Sequence, residues 1–384
     1  MNRTAEPRKF DGAGVVLGPE MVGINCEASF QPRRPSFQLR RQSAVSESVS
    51  RLISTLHLSR SQDCIAIVGP PERISPKEFC RPVPNARCRV EVFSDRLASN
   101  EEMEQHGSRV DFGRLNTLVC SGQISRVLLA TPANEAERIA SVLKHLEGMD
   151  VDVDFVLDGV PTYSGIVLGA EDVCFARLLR RPLTSSQALI KSIVDRVGAL
   201  LLLALLAPVL LCIALMVKLT GDGPVLFRQK RFGINNELFD VLKFRTLHHR
   251  HTDPNSQRPV TKCDDRVTPV GKYLRALSLD ELPQLLNVLK GDMSLVGPRP
   301  LPVGLKVQDM PCLEFPHYRA RHRVRPGITG LAQVNGWRGG MQVAEDLKKR
   351  LSFDLAYVDN YSLLLDAKIM MATCIALLRP NNAY

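Results

Sequence analysis

Asp280 and Glu281 stand side by side in SLDELPQLLNVLKGDMSLVGPRP, residues 278–300. Ser278 lies three residues ahead of Glu281, the spacing of a capping box, and Leu279, Leu282, Leu285, Leu286 and Leu289 recur on one helical face. Gly291 supplies the stop. That geometry admits two readings. In one, Glu281 caps the helix and Asp280 favours the positive end of its dipole. In the other, a helix start favours the anionic form of Asp280, which then serves as a nucleophile or an Mg²⁺ ligand. Pro283, tolerated in a first turn, stiffens the segment either way.

Phosphoryl chemistry needs cations around its developing charge. The candidates are Arg245 in KFRT, Arg266 in DDRVT, Arg275 in YLRAL, Arg299 in GPRP and Arg325 in VRPG. Arginine offers permanent charge and bidentate contacts to phosphate oxygens. Taken singly, each also reads as a surface or salt-bridged residue. Arg299 differs, because Gly297, Pro298 and Pro300 restrict its backbone. The chain has no Walker A motif, no H-E-x-x-H and no G-x-S-x-G, so P-loop hydrolysis, zinc proteolysis and serine hydrolysis lack support.

These residues need a platform. Val197–Val217 reads VGALLLLALLAPVLLCIALMV without a charge, which meets the roughly 20 residues needed to cross a bilayer. Pro208 interrupts it. Cations flank both ends: Arg180, Arg181, Lys191 and Arg196 before, Lys218, Arg228, Lys230 and Arg231 after. The charge bias therefore sets no orientation. A helix over 186–219 that breaks at Pro208 and re-enters on the same side satisfies both observations. Residues 220–384 follow as a compact, charged, mainly helical domain associated with the membrane. Within it, Leu347, Leu351, Leu355 and Val358 form a stripe opposite Lys348, Lys349 and Arg350, which suits an interfacial or a soluble surface helix equally. Leu363–Leu378 carries Asp366 and Lys368 and is too short and charged to span.

Upstream, CIAIVG (64–69), CRVEVF (88–93), SRVLLAT (125–131) and VDVDFVL (151–157) read as strands. Between the last two, Thr131 as N-cap, Pro132 at N1 and the face Ala136, Ile139, Leu143, Leu146 predict a helix stopped at Gly148. Residues 61–165 thus read as a small α/β, Rossmann-like module. Its first turn is GPPER, so the dinucleotide fingerprint G-x-G-x-x-G is missing and a regulatory or packing role follows. Residues 1–60, rich in Arg, Ser, Pro and Gln, read as a basic disordered tail without a signal peptide.

The 384 residues carry a formal net charge of +10, which favours anionic lipid, nucleic acid or phosphorylated substrates. Only 5% are aromatic and none interleave with basic runs, so no nucleic-acid partner is expected. Ten cysteines without a C-x-x-C pair read as buried, reduced thiols in a cytosolic setting.

GPVLFRQKRFG (223–233), KFRT (243–246), RVTPVGKYLRALSLDELPQLLNVLKGDMSLVGPRP (266–300), VRPGITGLAQVNGW (324–337) and FDLAYVDNYSLLLDAKI (353–369) resemble the bacterial sugar transferases, the monotopic polyprenyl-phosphate phosphoglycosyl transferases. The resemblance runs from about Lys191 to the C-terminus. It implies an enzyme that moves a sugar-1-phosphate from a UDP-sugar to undecaprenyl phosphate, releasing UMP, at the cytoplasmic face of a bacterial inner membrane. It implies Asp280 as the nucleophile of a covalent phosphosugar intermediate, Glu281 in proton handling or positioning, and Mg²⁺ bound near Asp280. Arg275 and Arg299 match phosphate-binding arginines, Asp366 an acidic residue near the site, and Pro208 the break of a re-entrant membrane helix. A homo-oligomer or contacts with polysaccharide assembly proteins are further expectations. The competing expectation is a catalytically silent membrane scaffold. Longer members carry several spans ahead of an α/β module, and this chain shows the module without them. The sugar stays open among galactose, glucose and N-acetylated sugars.

Overall fold

The computed structural model describes residues 64–69, 90–94, 112–131, 134–157, 174–251, 264–308, 310–337 and 343–378. The 1–60 tail, Pro70–Arg73 of the GPPER turn and Pro132 lie outside them.

Short apolar runs assemble the first body. Strands β1 (Cys64–Gly69), β2 (Val90–Ser94), β3 (Ile124–Leu129), β4 (Asp152–Leu157) and β5 (Cys174–Leu179) form one sheet in the order β2-β1-β3-β4-β5. The first four are parallel and β5 runs antiparallel to β4. Helices α1 (Phe112–Cys120) and α2 (Ala136–Leu146) precede β3 and β4 and cover the sheet with Leu115, Val142 and Leu146. Parallel strands buried in this way read as continuous apolar runs, which made β1, β3 and β4 recognisable. Helix α2 starts later than the sequence suggests. Its N-cap is Glu135, without a side-chain cap bond. Ala130 still donates to the Val68 carbonyl at 2.9 Å, so the chain is leaving the sheet where Thr131 was expected to begin a helix.

Helix α3 (Ser185–Leu219) begins with a true capping box at Thr184 and Gln187. It is the one helix among the described residues long and apolar enough to cross a membrane. It runs as one α-helix with Pro208 inside it, so the expected break at Pro208 is not present as an interruption. One stripe, including Ala199, Leu206, Leu210, Ile213 and Val217, packs on the protein, while Leu200, Leu201, Leu205, Leu211, Leu215 and Leu219 are exposed.

The second body starts with the hairpin β6 (Leu226–Phe232) and β7 (Leu238–Phe244). Its tip holds Asn235 and Asn236 in the left-handed region, at φ of 55° and 61°. Helix α4 (Pro269–Ala276) is capped by Thr268, whose hydroxyl accepts the Gly271 N–H at 3.0 Å. A 3-10 turn (Leu279–Glu281), helix α5 (Gln284–Lys290) and strand β8 (Ser294–Val296) follow. After the small hairpin β9 (Lys306–Val307) and β10 (Met310–Pro311), a 3-10 turn (Arg319–Arg323) leads to β11 (Gly327–Thr329), parallel to β8. Helices α6 (Leu331–Val334), α7 (Ala344–Asp359) and α8 (Leu363–Leu378) complete the chain. Only glycine fits where β8 and β11 leave their pairing: a Cβ on Gly297 would lie 2.4 Å from the Arg325 carbonyl oxygen.

Helix α7 is a core element and not an interfacial one. Leu347, Leu351 and Val358 lie in the core, and Arg350 is buried beside Asp354 instead of joining the exposed Lys348 and Lys349. The thiols divide as well: Cys312 is buried, but Cys212 and Cys374 are exposed on apolar helices.

Candidate active site

The dyad does not sit on the capped helix that its spacing suggests. Leu277 closes α4, and the chain reverses through Ser278 at φ 57°, which makes no side-chain cap bond. Asp280 and Glu281 then occupy the 3-10 turn, and α5 begins only after Pro283. Proline suits that junction, because a helix start needs no N–H there.

Glu281 is gripped from two sides. Lys243 Nζ donates to its Oε1 at 2.8 Å, Arg299 Nη1 donates to Oε2 at 2.8 Å, and Arg299 Nη2 reaches Oε1 as well. Burial pushes the Glu281 carboxyl up, but Arg299 and Lys243 outweigh it and hold the group well below the usual carboxylate range. Asp280 is different. It is buried, and among the described residues it accepts no hydrogen bond. Burial raises its pKa against the opposing charges of Lys243, Arg275 and Arg299, with Glu281 adding to the rise. The favoured anion expected from a helix start is therefore reversed: desolvation wins over a short turn. Two adjacent carboxyls are thus driven apart, one locked in ion pairs and one left free. Such a split is how neighbouring acids take different roles.

The cations come from distant elements. Strand β7 delivers Lys243, whose own pKa burial lowers while Glu281 supports its charge. Asn287 on α5 fixes the alignment of β7, accepting the Leu242 N–H at 3.0 Å and donating to the Asp240 carbonyl at 2.7 Å. Neither Lys243 nor Asn287 was singled out in the sequence, although KFRT contains the lysine. Arg275, half-buried at the end of α4, lies close enough to lower the Asp280 pKa.

Other expected site residues are committed elsewhere. Arg245 donates to the carbonyls of Asp222, Val217 and Gly221 at 2.7, 2.9 and 2.8 Å, satisfying the C-terminus of α3. Arg325 donates to Ser192 Oγ on α3 at 3.3 Å, and Arg266 pairs with Asp264 at 2.6 Å. Asp366 accepts from Lys191 Nζ at 2.7 Å and from the Tyr357 hydroxyl at 2.8 Å, so it anchors α3 against α7 and α8. Pro208 lies within α3. The structure brings Asp280, Glu281, Arg275 and Arg299 together with Lys243; it places Arg245, Arg325 and Asp366 along α3.

No group of three or more His, Cys, Asp or Glu forms a metal cage among the described residues. Glu281 is occupied by cations, which leaves the Asp280 carboxylate as the free ligand. That donor set suits Mg²⁺ completed by substrate oxygens, the usual mode for this ion.

The sequence model of the family described as bacterial sugar transferase matches residues 186–380. The chain belongs to that family. It is 50% identical over 194 residues to the UDP-glucose:undecaprenyl-phosphate glucose-1-phosphate transferase of Caulobacter vibrioides, covering 50% of this chain and 72% of that protein. It is 40% identical over 262 residues to the undecaprenyl-phosphate glucose phosphotransferase of Komagataeibacter xylinus, covering 67% of this chain and 49% of that protein. A third relative, the exopolysaccharide production protein PSS of Rhizobium leguminosarum bv. phaseoli, is 42% identical over 196 residues, covering 51% of this chain and 98% of that protein. The chain therefore spans about half the length of one relative, while 196 of its residues account for nearly all of another. As a family member this chain is a transferase, and the family match contains the dyad and every cation around it.

Proposed function

We propose that the chain transfers a sugar-1-phosphate from a UDP-sugar to undecaprenyl phosphate through a phosphosugar carried on Asp280, at the cytoplasmic face of a bacterial inner membrane. This transfer would begin assembly of an exopolysaccharide or related surface glycan. The observation that carries the reading is the split dyad: a buried Asp280 free of hydrogen bonds beside a Glu281 held by Lys243 and Arg299. In the first step an Asp280 carboxylate oxygen attacks the β-phosphorus of the donor. The bond from that phosphorus to the bridging oxygen breaks, and UMP leaves with the electron pair. In the second step a phosphate oxygen of undecaprenyl phosphate attacks the same phosphorus and displaces the Asp280 carboxylate. Arg299 and Arg275 offset charge on the phosphoryl oxygens, and Glu281 orients Arg299 and Lys243. Mg²⁺ held by Asp280 and the donor oxygens would supply further charge neutralisation.

Helix α3 supports action at the membrane. Its exposed leucines suit lipid, yet both ends rest on the same body, Lys191 against Asp366 and Val217 against Phe244 and Leu274. A helix crossing the bilayer would carry one end to the far side. We therefore read α3 as entering one leaflet and staying on the catalytic side, the disposition expected of a re-entrant element. The first body, a parallel sheet with one antiparallel edge, reads as Rossmann-like without a dinucleotide fingerprint, in a regulatory or packing role.

Glucose is the first donor to test, because relatives carry UDP-glucose and glucose in their names. The decisive assay is UMP release from UDP-glucose, with a panel of other UDP-sugars, in the presence of undecaprenyl phosphate. The wild-type chain turns over at least one donor and Asp280→Asn turns over none. Full activity in Asp280→Asn would overturn the nucleophile assignment.

A further inference from the structure

Arg299 carries the charge that grips Glu281, yet its own backbone has little to hold it. Pro298 and Pro300 have no N–H, so within Pro298–Pro300 only Arg299 can donate from the backbone and the turn is anchored chiefly through carbonyl oxygens. The structure supplies a donor to each carbonyl in turn. The Gly327 N–H donates to the Pro298 carbonyl at 3.0 Å, Arg321 Nη2 to the Arg299 carbonyl at 2.6 Å, and Arg231 Nη1 to the Pro300 carbonyl at 2.8 Å.

Both arginines are costly residues to place here. Arg321 is 2% exposed and ion-paired to Asp354 at 2.8 Å, and it lies over the Tyr318 ring at 5.5 Å. Its Nε and Nη1 have no hydrogen-bond partner. Arg350, one helical turn before Asp354 on α7, is also 2% exposed. Arg231 is fixed by Gln229 Oε1 at 3.2 Å from its Nε. A fold seeking stability alone would fill such a site with apolar side chains. Buried arginines are retained where rigid, directional donors are needed.

We infer that Arg321 and Arg231 are positioning residues of the transferase, and that they set Arg299 by clamping the carbonyls of the GPRP turn. Asp354 acts through Arg321, by holding its guanidinium in place. None of the three touches the dyad through the hydrogen bonds described above. This inference rests on the proposed phosphosugar transfer for its kinetic readout, but not for its structural one.

The test compares Arg321→Lys, Arg321→Ala, Arg231→Lys and the wild-type full chain. The first readout is UMP release from the donor the wild type uses. A mispositioned Arg299 lowers kcat about 10²-fold in Arg321→Ala, with donor KM changed by less than about threefold. Arg321→Lys retains charge but not the fork and falls between the two, and added methylguanidinium restores part of the Arg321→Ala loss. The second readout needs no turnover: phenylglyoxal labelling of Arg299, followed by peptide mass spectrometry. Loss of the Asp354 ion pair lowers the melting temperature of Arg321→Ala, so labelling is run below each variant's transition; there, release of the turn speeds labelling several-fold in Arg321→Ala and less in Arg321→Lys. Wild-type kcat in Arg321→Ala overturns the inference, and so does unaltered labelling of Arg299. Equal losses in the lysine and alanine variants that follow global melting also overturn it, because they mark a purely structural role. If the wild type releases no UMP from any donor, the transfer reading fails, and the labelling arm alone decides the positioning claim.

Discussion

Around the five-stranded sheet, the buried polar side chains among the described residues are Thr131 and Asp154. From Thr184 onward the protein buries Lys191, Asp195, Arg245, Asp280, Arg321, Arg350, Asp354 and Asp366, among others. Both bodies have a well-packed apolar core, so the difference is not one of folding quality. Buried charge must be paid for by partners and by oriented dipoles, and an unpaired one is costly. The first body buries one such charge, Asp154, paired with Arg177. The second accepts the cost at two places, under the dyad and along α3, which marks these as the places where geometry matters more than stability.

On that contrast, the largest effect comes from Asp280, the buried member of the dyad that takes part in no ion pair. Asp280→Asn is nearly isosteric and removes no hydrogen bond, so the fold should melt as the wild type does. UMP release should fall by about 10⁴-fold or more, the scale seen when a nucleophile is removed. A large loss of thermal stability in this variant would mean that Asp280 is structural, and the contrast would collapse.

Glu281→Gln should cost both functions. It leaves Lys243 and Arg299 facing a neutral amide, which predicts about 3–5 kcal/mol of destabilisation from a broken buried pair and a drop in kcat of about 10²-fold. Parallel melting and UMP assays separate the two losses. A variant as stable as the wild type would show that the ion pairs are solvated more than their burial suggests.

The site was only partly legible in the sequence, for reasons these residues illustrate. Asp280, Glu281 and Arg299 stood out because adjacency and flanking prolines are local properties. Arg245 and Arg325 looked equivalent to Arg299 on the page, and only tertiary placement assigns one to a helix C-terminus and the other to Ser192. Lys243 and Asn287 meet partners 38 and 45 residues away in sequence, so no spacing rule reaches them. The capping box was misassigned for a similar reason. The pattern at Ser278 is correct, but α4 ends at Ala276 and the chain must reverse, which consumes Ser278 in a left-handed turn. In the first body the strands that show apolar runs were found, whereas β5 was not. Arg177 interrupts its pattern and is held by Asp154 at 2.8 Å on an antiparallel edge. Helix α3 was legible as an apolar run, but not its continuity through Pro208.

The pH response sharpens the comparison by reporting on Asp280 itself. Its carboxyl is raised above the ordinary aspartate value of 3.8, and attack requires the carboxylate. Protonation therefore persists to higher pH than in a free aspartate, and kcat/KM should climb with pH along a limb lying above 3.8. Lys243 is the strongest of the charges opposing that rise. Lys243→Met should thus move the limb further upward, in addition to lowering the rate. A limb that stays in place would remove Lys243 from the electrostatics of Asp280.

In the first body the same logic predicts loss of stability without loss of chemistry. Leu129 is fully buried in β3, and Leu129→Ala should destabilise by about 2–5 kcal/mol. Activity per folded molecule should stay within about threefold, since that cavity lies in a core with no part in the charge network. Assays at a temperature below the variant's transition, normalised to the folded fraction, provide the check.

The smallest effect is expected where the bodies meet. Glu147, at the end of α2, pairs with His317 Nδ1 at 2.6 Å, and His317 is 56% exposed. An exposed pair of this kind is worth at most about 1 kcal/mol, less at high salt. The junction has another hold: the Asp150 N–H donates to Asn235 Oδ1 at 2.7 Å, and within the second body His322 Nδ1 lies 2.7 Å from the neighbouring Asn236 Oδ1. Glu147→Ala should therefore leave the bodies docked, and UMP release should change by less than about twofold. A tenfold loss would contradict the division drawn above. It would show that the first body acts on the chemistry through the turn Arg319–Arg323, the segment that carries both His322 at the junction and Arg321 beneath Arg299.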